Sequence, residues 1–201
     1  MKIFDWANSF WEFLKKDTWS SWLVSFFLLI IIIKFIIFPS LSFITGSELP
    51  LVVVESCSMY HETDFNNWWE KNAPWYEDHG ISEQNFELFT LKNGFSKGDI
   101  IFVMGRDSYN LGDVIIFNSN PESFARYPII HRIVSLDPIG TKGDHNVEQL
   151  ARENNVQHID ETDIPEDRII GKAVFKIPAL GWVKLVFFEL TKTPDQRGLC
   201  K

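Results

Sequence analysis

From Trp22 to Thr45 the chain is predominantly apolar and holds one charge, Lys34, and one proline, Pro39. About 20 apolar residues cross a bilayer as an α-helix. Trp19 and Trp22 stand where an interfacial aromatic belt would lie. Lys34 sits near the far end and can snorkel outward, so it does not oppose the span. The run predicts one transmembrane helix, roughly Trp19 to Phe38 and ending at Pro39, inside an anchor of residues 19–45. A cleaved signal peptide is the alternative, with Thr45-Gly46-Ser47 as its small-residue site. The run exceeds the ~7–15 apolar residues such peptides use, and its leader is neither short nor distinctly basic.

Ahead of the anchor, residues 1–18 place Ile3, Phe4, Ala7, Phe10, Trp11 and Leu14 near helical spacing, followed by Lys15, Lys16 and Asp17. That pattern suits an amphipathic helix at a membrane surface. Lys2, Lys15 and Lys16 precede the span, whereas no Lys or Arg occurs between Phe35 and Glu70. The positive-inside rule then puts the N-terminus in the cytoplasm and the remainder on the outer face of a cell membrane.

The remainder reads as one domain, residues 46–190, with a tail of 191–201. Val52–Val54, Ile100–Val103, Val114–Phe117, Ala125–Val134 (Pro128 marking an edge or a bulge) and Arg168–Ile177 read as short strands. With their Gly-Asp and Pro-Gly punctuation they predict a mainly β, small antiparallel domain. Residues 61–96 interrupt it with an aromatic-rich insertion of two short helices, one within Phe65–Tyr76 and one from Ser82 to about Lys92. Its Trp68, Trp69 and Trp75 either pack on the domain or touch the membrane. The apolar segment Ile177–Phe188 is too short to span, so it packs on the core or dips into the interface. A net charge of −8 offers no footprint for nucleic acid. The five histidines form no i, i+4 pair, so no metal or other cofactor is expected. Cys57 and Cys200 are the two cysteines, and whether they pair is left open.

At Ser56-Cys57-Ser58-Met59 a strand ends in small side chains, with two hydroxyls two residues apart. Such a stretch is commonly a plain turn; it becomes a nucleophile only with a base in reach. His131 shares a strand face with Ile129 and Ile133, where a histidine is commonly structural. Beside Ser58, a neutral imidazole could take the hydroxyl proton. Thr141-Lys142-Gly143-Asp144 offers a carboxylate that is either an Asp turn or the acid of a triad.

Ser56-Cys57-Ser58-Met59, Gly112-Asp113-Val114-Ile115-Ile116-Phe117, Ile130-His131-Arg132-Ile133 and Thr141-Lys142-Gly143-Asp144-His145-Asn146 follow one another in the order of the type I signal peptidases. Ile169-Ile170-Gly171-Lys172-Ala173 and Ile177-Pro178-Ala179-Leu180-Gly181 also fit, so the chain resembles that family from the membrane helix to about Leu185. The histidine before Arg132 resembles the archaeal and endoplasmic-reticulum branch. The resemblance implies a membrane-bound serine endopeptidase that removes signal peptides from secretory preproteins beside the lipid bilayer and the export translocon. It implies Ser58 as nucleophile, His131 as base and Asp144 as acid, with Ser56 and Ser58 as the oxyanion hole. Substrate would add as a strand between Val52, Val53, Val54, Glu55 and Tyr127, Pro128, Ile129, Ile130. The second aspartate common in this branch is here Leu150, which leaves Glu148, Asp160 and Asp163 as further candidates for the acid. Lys142 or Lys172 could replace the base. A catalytically silent membrane-anchored module, or a self-cleaving repressor-type protease, would use the same scaffold.

Overall fold

The computed structural model describes residues 2–191 and 197–200, except the side chains of residues 2–4 and 7. Ile3, Phe4 and Ala7 of the expected apolar stripe therefore lie outside the described side chains. Positions 192–196 and 201 of the expected tail likewise lie outside the described residues. Two compact units make up the chain, Met1–Ile44 and Thr45–Lys201.

The first unit holds α1 (Lys2–Leu14) and α2 (Trp19–Ile32). Thr18 caps α2 by accepting the Ser21 N–H at 3.3 Å, and the Ser21 hydroxyl donates back to the Leu14 carbonyl at 2.9 Å. A serine or threonine oxygen here satisfies one of the orphan amides of a first turn. The helix does not end at Pro39. A π-helical stretch, Ile33–Ile37, carries it into α3 (Phe38–Thr45), so one helix from Trp19 to Thr45 is long and apolar enough to cross a membrane. Proline removes an N–H and crowds the carbonyl four residues back. The wider π turn just ahead of Pro39 lets the backbone pass the ring without breaking.

The second unit is built on one antiparallel sheet ordered β1-β2-β6-β3-β4-β5, the mainly β architecture expected. Its strands are β1 (Leu51–Val53), β2 (Ile100–Met104), β3 (Val114–Phe117), β4 (Ile129–Leu136), β5 (Ile139–Lys142) and β6 (Ile169–Ile177). β3 is buried along its whole length because both faces are covered. Val114 and Ile116 enter one core with Val54, Met59, Phe95 and Ile101, while Ile115 and Phe117 enter another with Ile133 and Ile164. Period-two alternation with both faces apolar explains its unbroken hydrophobic sequence.

β4 begins at Ile129, not Ala125: Phe117, the last residue of β3, pairs with Ile129, and Pro128 has no N–H to extend the ladder. β5, unanticipated, turns back onto β4 and carries Thr141 and Lys142 into the interior. The insertion forms α4 (Phe65–Asp78), capped by Asp64, and a short α5 (Glu83–Glu87), capped by Ser82. α5 stops well before Lys92, as Leu91 adopts a positive φ of 54°. Trp68, Trp69, Tyr76 and Phe86 pack together in a core of their own, which favours packing over membrane contact for Trp68 and Trp69. The Ile177–Phe188 segment yields α6 (Trp182–Glu189), with Leu185 buried and Val183, Val186 and Phe187 exposed.

Candidate active site

The Ser56–Ser58 turn leaves β1 at Val54, whose N–H donates to Asp99 O and whose carbonyl accepts from Gly98 N–H, both at 2.9 Å. Beyond it the chain is pinned by Met59, 1% exposed within the core. The Met59 carbonyl accepts the Phe95 N–H at 2.9 Å, and Tyr60 N–H donates to Cys57 O at 3.0 Å. Between these anchors Ser58 is half-buried and Ser56 exposed, their hydroxyl oxygens 3.2 Å apart. Cys57 and Cys200 form a disulfide, closing the question the sequence left open.

His131 projects from β4 on the face of Ile129 and Ile133 and is buried. Its Nδ1 lies 2.5 Å from Glu161 Oε2. The same oxygen accepts the Thr141 hydroxyl at 2.9 Å, and Oε1 accepts the Leu150 N–H at 2.9 Å. A carboxylate at Nδ1 holds the ring proton there and leaves the lone pair on Nε2, the tautomer a general base requires. That Nε2 faces Gly143. A Cβ on Gly143 would stand 2.8 Å from His131 Nε2 and 2.7 Å from the Ser58 carbonyl oxygen. The imidazole nitrogen and the serine backbone thus abut one glycine, although 73 positions separate Ser58 and His131 in the chain. His145 N–H fixes the Ser58 carbonyl from the same segment at 2.8 Å. Among the described residues no hydrogen bond joins Ser58 Oγ to the imidazole; its partner is Ser56 Oγ.

Asp144 is not the carboxylate at His131. It is fully buried and forked by Arg132, Nε donating to Oδ1 at 2.9 Å and Nη2 to Oδ2 at 2.7 Å. His61 Nε2 lies 3.0 Å from Oδ2, and the Tyr76 hydroxyl donates to Oδ1 at 3.2 Å. Burial would raise this carboxyl, but the Arg132 guanidinium and the His61 hydrogen bond hold it well below the usual carboxylate range. The physical reason is parity: Arg132 follows His131 on β4 and points to the opposite face, taking Asp144 with it. Glu148 and Asp163 are exposed, and Asp160 is engaged by Thr162, so none of the three meets the imidazole. Lys172 is paired with Asp113 at 2.6 Å. Lys142 is buried against Trp75 and Tyr76 and donates to Gly143 O at 3.1 Å.

The expected substrate strands are not uniform. Pro50 O and both main-chain groups of Val54 bond toward β2 and the turn before it, so by strand alternation Val52 does too. Leu51 and Val53 direct theirs to the outer edge, which β1 forms. The Val54 side chain is core, 4% exposed. Val54 is thus a support for this edge and offers no contact surface. Glu55 pairs with Lys184 at 3.0 Å. Across the site, Ile129 and Ile130 lie opposite Phe117 and Ile116 of β3, while β5 pairing starts only at Arg132, so the side of β4 away from β3 has no strand at these two residues among the described residues. Tyr127, 71% exposed, and Pro128 lead into that edge outside the strand.

Glu161, Thr141, Arg132, His61 and Tyr76 were not singled out by sequence. Glu161 stands two residues after Ile159, and the structure buries both.

No family model matches the chain. It is similar to the signal peptidase complex catalytic subunit sec11 of Penicillium rubens, 27% identical over 170 residues, covering 81% of this chain and 76% of that protein. The subunit of the same name from Pyricularia oryzae is 26% identical over 172 residues, covering 81% and 78%. That from Verticillium alfalfae is 27% identical over 170 residues, covering 80% and 77%.

Proposed function

We infer that the chain is a type I signal peptidase: a membrane-anchored endopeptidase that cuts signal peptides from exported preproteins, with Ser58 as nucleophile and His131 as general base. The observation that carries this reading is the buried Glu161–His131 pair, whose Nε2 stands with the Ser58 carbonyl oxygen against the Cβ position of Gly143. The similarity to the fungal catalytic subunits supports the substrate class.

In this mechanism the Ser58 side chain turns away from Ser56 and presents its hydroxyl to His131 Nε2. The oxygen attacks the scissile carbonyl as the imidazole takes the proton, and Glu161 stabilises the imidazolium. The Ser56 hydroxyl and the Ser58 N–H then donate to the oxyanion that forms. His131 returns the proton to the departing amine, and water releases the acyl group by the same steps in reverse. The substrate adds as a strand between the outer edge at Leu51 and Val53 and the open side of Ile129 and Ile130.

The lysines before the apolar helix support an outward β unit, as does the disulfide, because such bonds persist in oxidising compartments. The bilayer, the export translocon and the other subunits of a peptidase complex are the partners this reading implies. Detergent-solubilised full-length protein should cut a preprotein at its signal-peptide boundary, and Ser58→Ala should abolish the cut. Undiminished cleavage by Ser58→Ala rules the assignment out. Inert wild-type protein, supplied with its complex partners, would leave only a silent scaffold.

A further inference from the structure

Lys142 is a buried cation that the chemistry above does not use. At 1% exposure it lies 4.9 Å from the ring centres of both Trp75 and Tyr76, and its one described hydrogen bond goes to Gly143 O at 3.1 Å. A lysine stripped of water with so few partners is an expensive way to fill space; an apolar side chain would do that at less cost. What an ammonium adds is a directed grip on one carbonyl and affinity for two aromatic faces.

The carbonyl it grips belongs to the residue that abuts both Ser58 O and His131 Nε2. The flanking residues are committed to the same machinery: Thr141 to Glu161, Asp144 to Arg132, and the His145 N–H to Ser58 O. Trp75 and Tyr76 belong to the helical insertion, so Lys142 ties that insertion to the reacting pair.

We propose that Lys142 is a positioning residue for cleavage: clamped by Trp75 and Tyr76 of the insertion, its ammonium holds Gly143 so that Ser58 and His131 keep their mutual placement. The proposal rests on the peptidase reading and adds a switch to it, because only the protonated amine can make this grip. Burial pushes the amine down to about 8, against the upward pull of Asp144 and Glu161 and with a further push from Arg132. The remaining ionisable group at the clamp, the Tyr76 phenol, titrates far higher, since burial and the neighbouring Asp144 raise it. The lysine therefore loses its proton while the Tyr76 phenol keeps its own.

The test is the pH profile of kcat and KM for preprotein cleavage by full-length protein between about pH 6 and 10. Wild-type kcat should fall through about pH 8 with KM steady. Lys142→Met should lower kcat at neutral pH at least tenfold, leave KM within about twofold, and abolish the alkaline fall. Trp75→Leu, which opens the clamp to water, should move the fall to higher pH, toward an ordinary lysine. A wild-type kcat that stays flat to pH 10 overturns the proposal without any variant. So does Lys142→Met with unchanged kcat or with the alkaline fall intact. Each of these outcomes requires active enzyme, so they are distinct from loss of cleavage altogether, which would strike the peptidase reading itself.

Discussion

Replacing Glu161 by glutamine tests the site at its least obvious residue. The carboxylate faces three donors: His131 Nδ1–H and the Thr141 hydroxyl at Oε2, and the Leu150 N–H at Oε1. Glutamine offers one acceptor oxygen and one NH2. If the oxygen stays on Leu150, the NH2 points at His131, which must then accept at Nδ1 and carry its proton on Nε2. The base lone pair is lost. If the amide turns over, NH2 meets the Leu150 N–H, an unmet donor costing about 1–3 kcal/mol, and no anion remains to stabilise the imidazolium. The wrong tautomer in a Ser-His-carboxylate site costs about 10,000-fold in kcat, or roughly 5.5 kcal/mol of barrier. Glu161 is fully buried and lies outside both proposed substrate edges, so KM should change little. Single-turnover cleavage of a preprotein by folded Glu161→Gln and Asp144→Asn, side by side, decides the matter. Glu161→Gln retaining more than about a tenth of wild-type kcat while Asp144→Asn loses it would refute the assignment of the acid.

Gly143→Ala should lower kcat at least tenfold while sparing stability more than activity, since its Cβ would press on Ser58 O and His131 Nε2; steady-state kinetics beside a thermal melt checks this. Arg132→Met leaves the buried Asp144 charge without its guanidinium partner and should cost about 3–5 kcal/mol in denaturant unfolding, and Arg132→Met/Asp144→Leu should recover much of it. Because the Asp144 carboxyl is depressed when folded, its stabilisation is present above the ordinary carboxylate range, near pH 4, and is lost as pH falls below it. Melts between about pH 2 and 6 should show a steeper acid decline for the wild type than for that double variant. Cutting the Cys57–Cys200 link with Cys200→Ser opens a loop with a sequence separation of 143, for which chain entropy sets a loss approaching 5 kcal/mol; denaturant titration with and without reductant measures it.

Much of this molecule is written locally. The apolar run after Trp19 specifies a membrane-length helix because hydropathy and length are properties of contiguous sequence. Val114–Phe117 specifies a strand covered on both sides, and the side shared by Ile129, His131 and Ile133 follows from strand alternation alone. Small residues at Ser56–Ser58 after a β-branched run mark the exit where a nucleophile can sit. Even there the local rule had a limit: Pro39 read as a helix end until the π turn before it carried the backbone past.

Tertiary structure alone decided which groups meet. Carboxylates look alike along a chain, and Asp144, Glu148, Asp160, Glu161 and Asp163 differ in role only through where β5 and the loop after it bring them. Asp144 sits two residues beyond Lys142 yet belongs to Arg132 on the opposite face of β4, while Glu161 reaches His131 by bonding to Thr141 and the Leu150 N–H. The aromatic insertion shows no chemistry in sequence and proves to support Arg132, Asp144 and Lys142. Periodicity reports how each segment lies against its surroundings; pairing between distant segments depends on sheet register and loop closure, which no short stretch encodes.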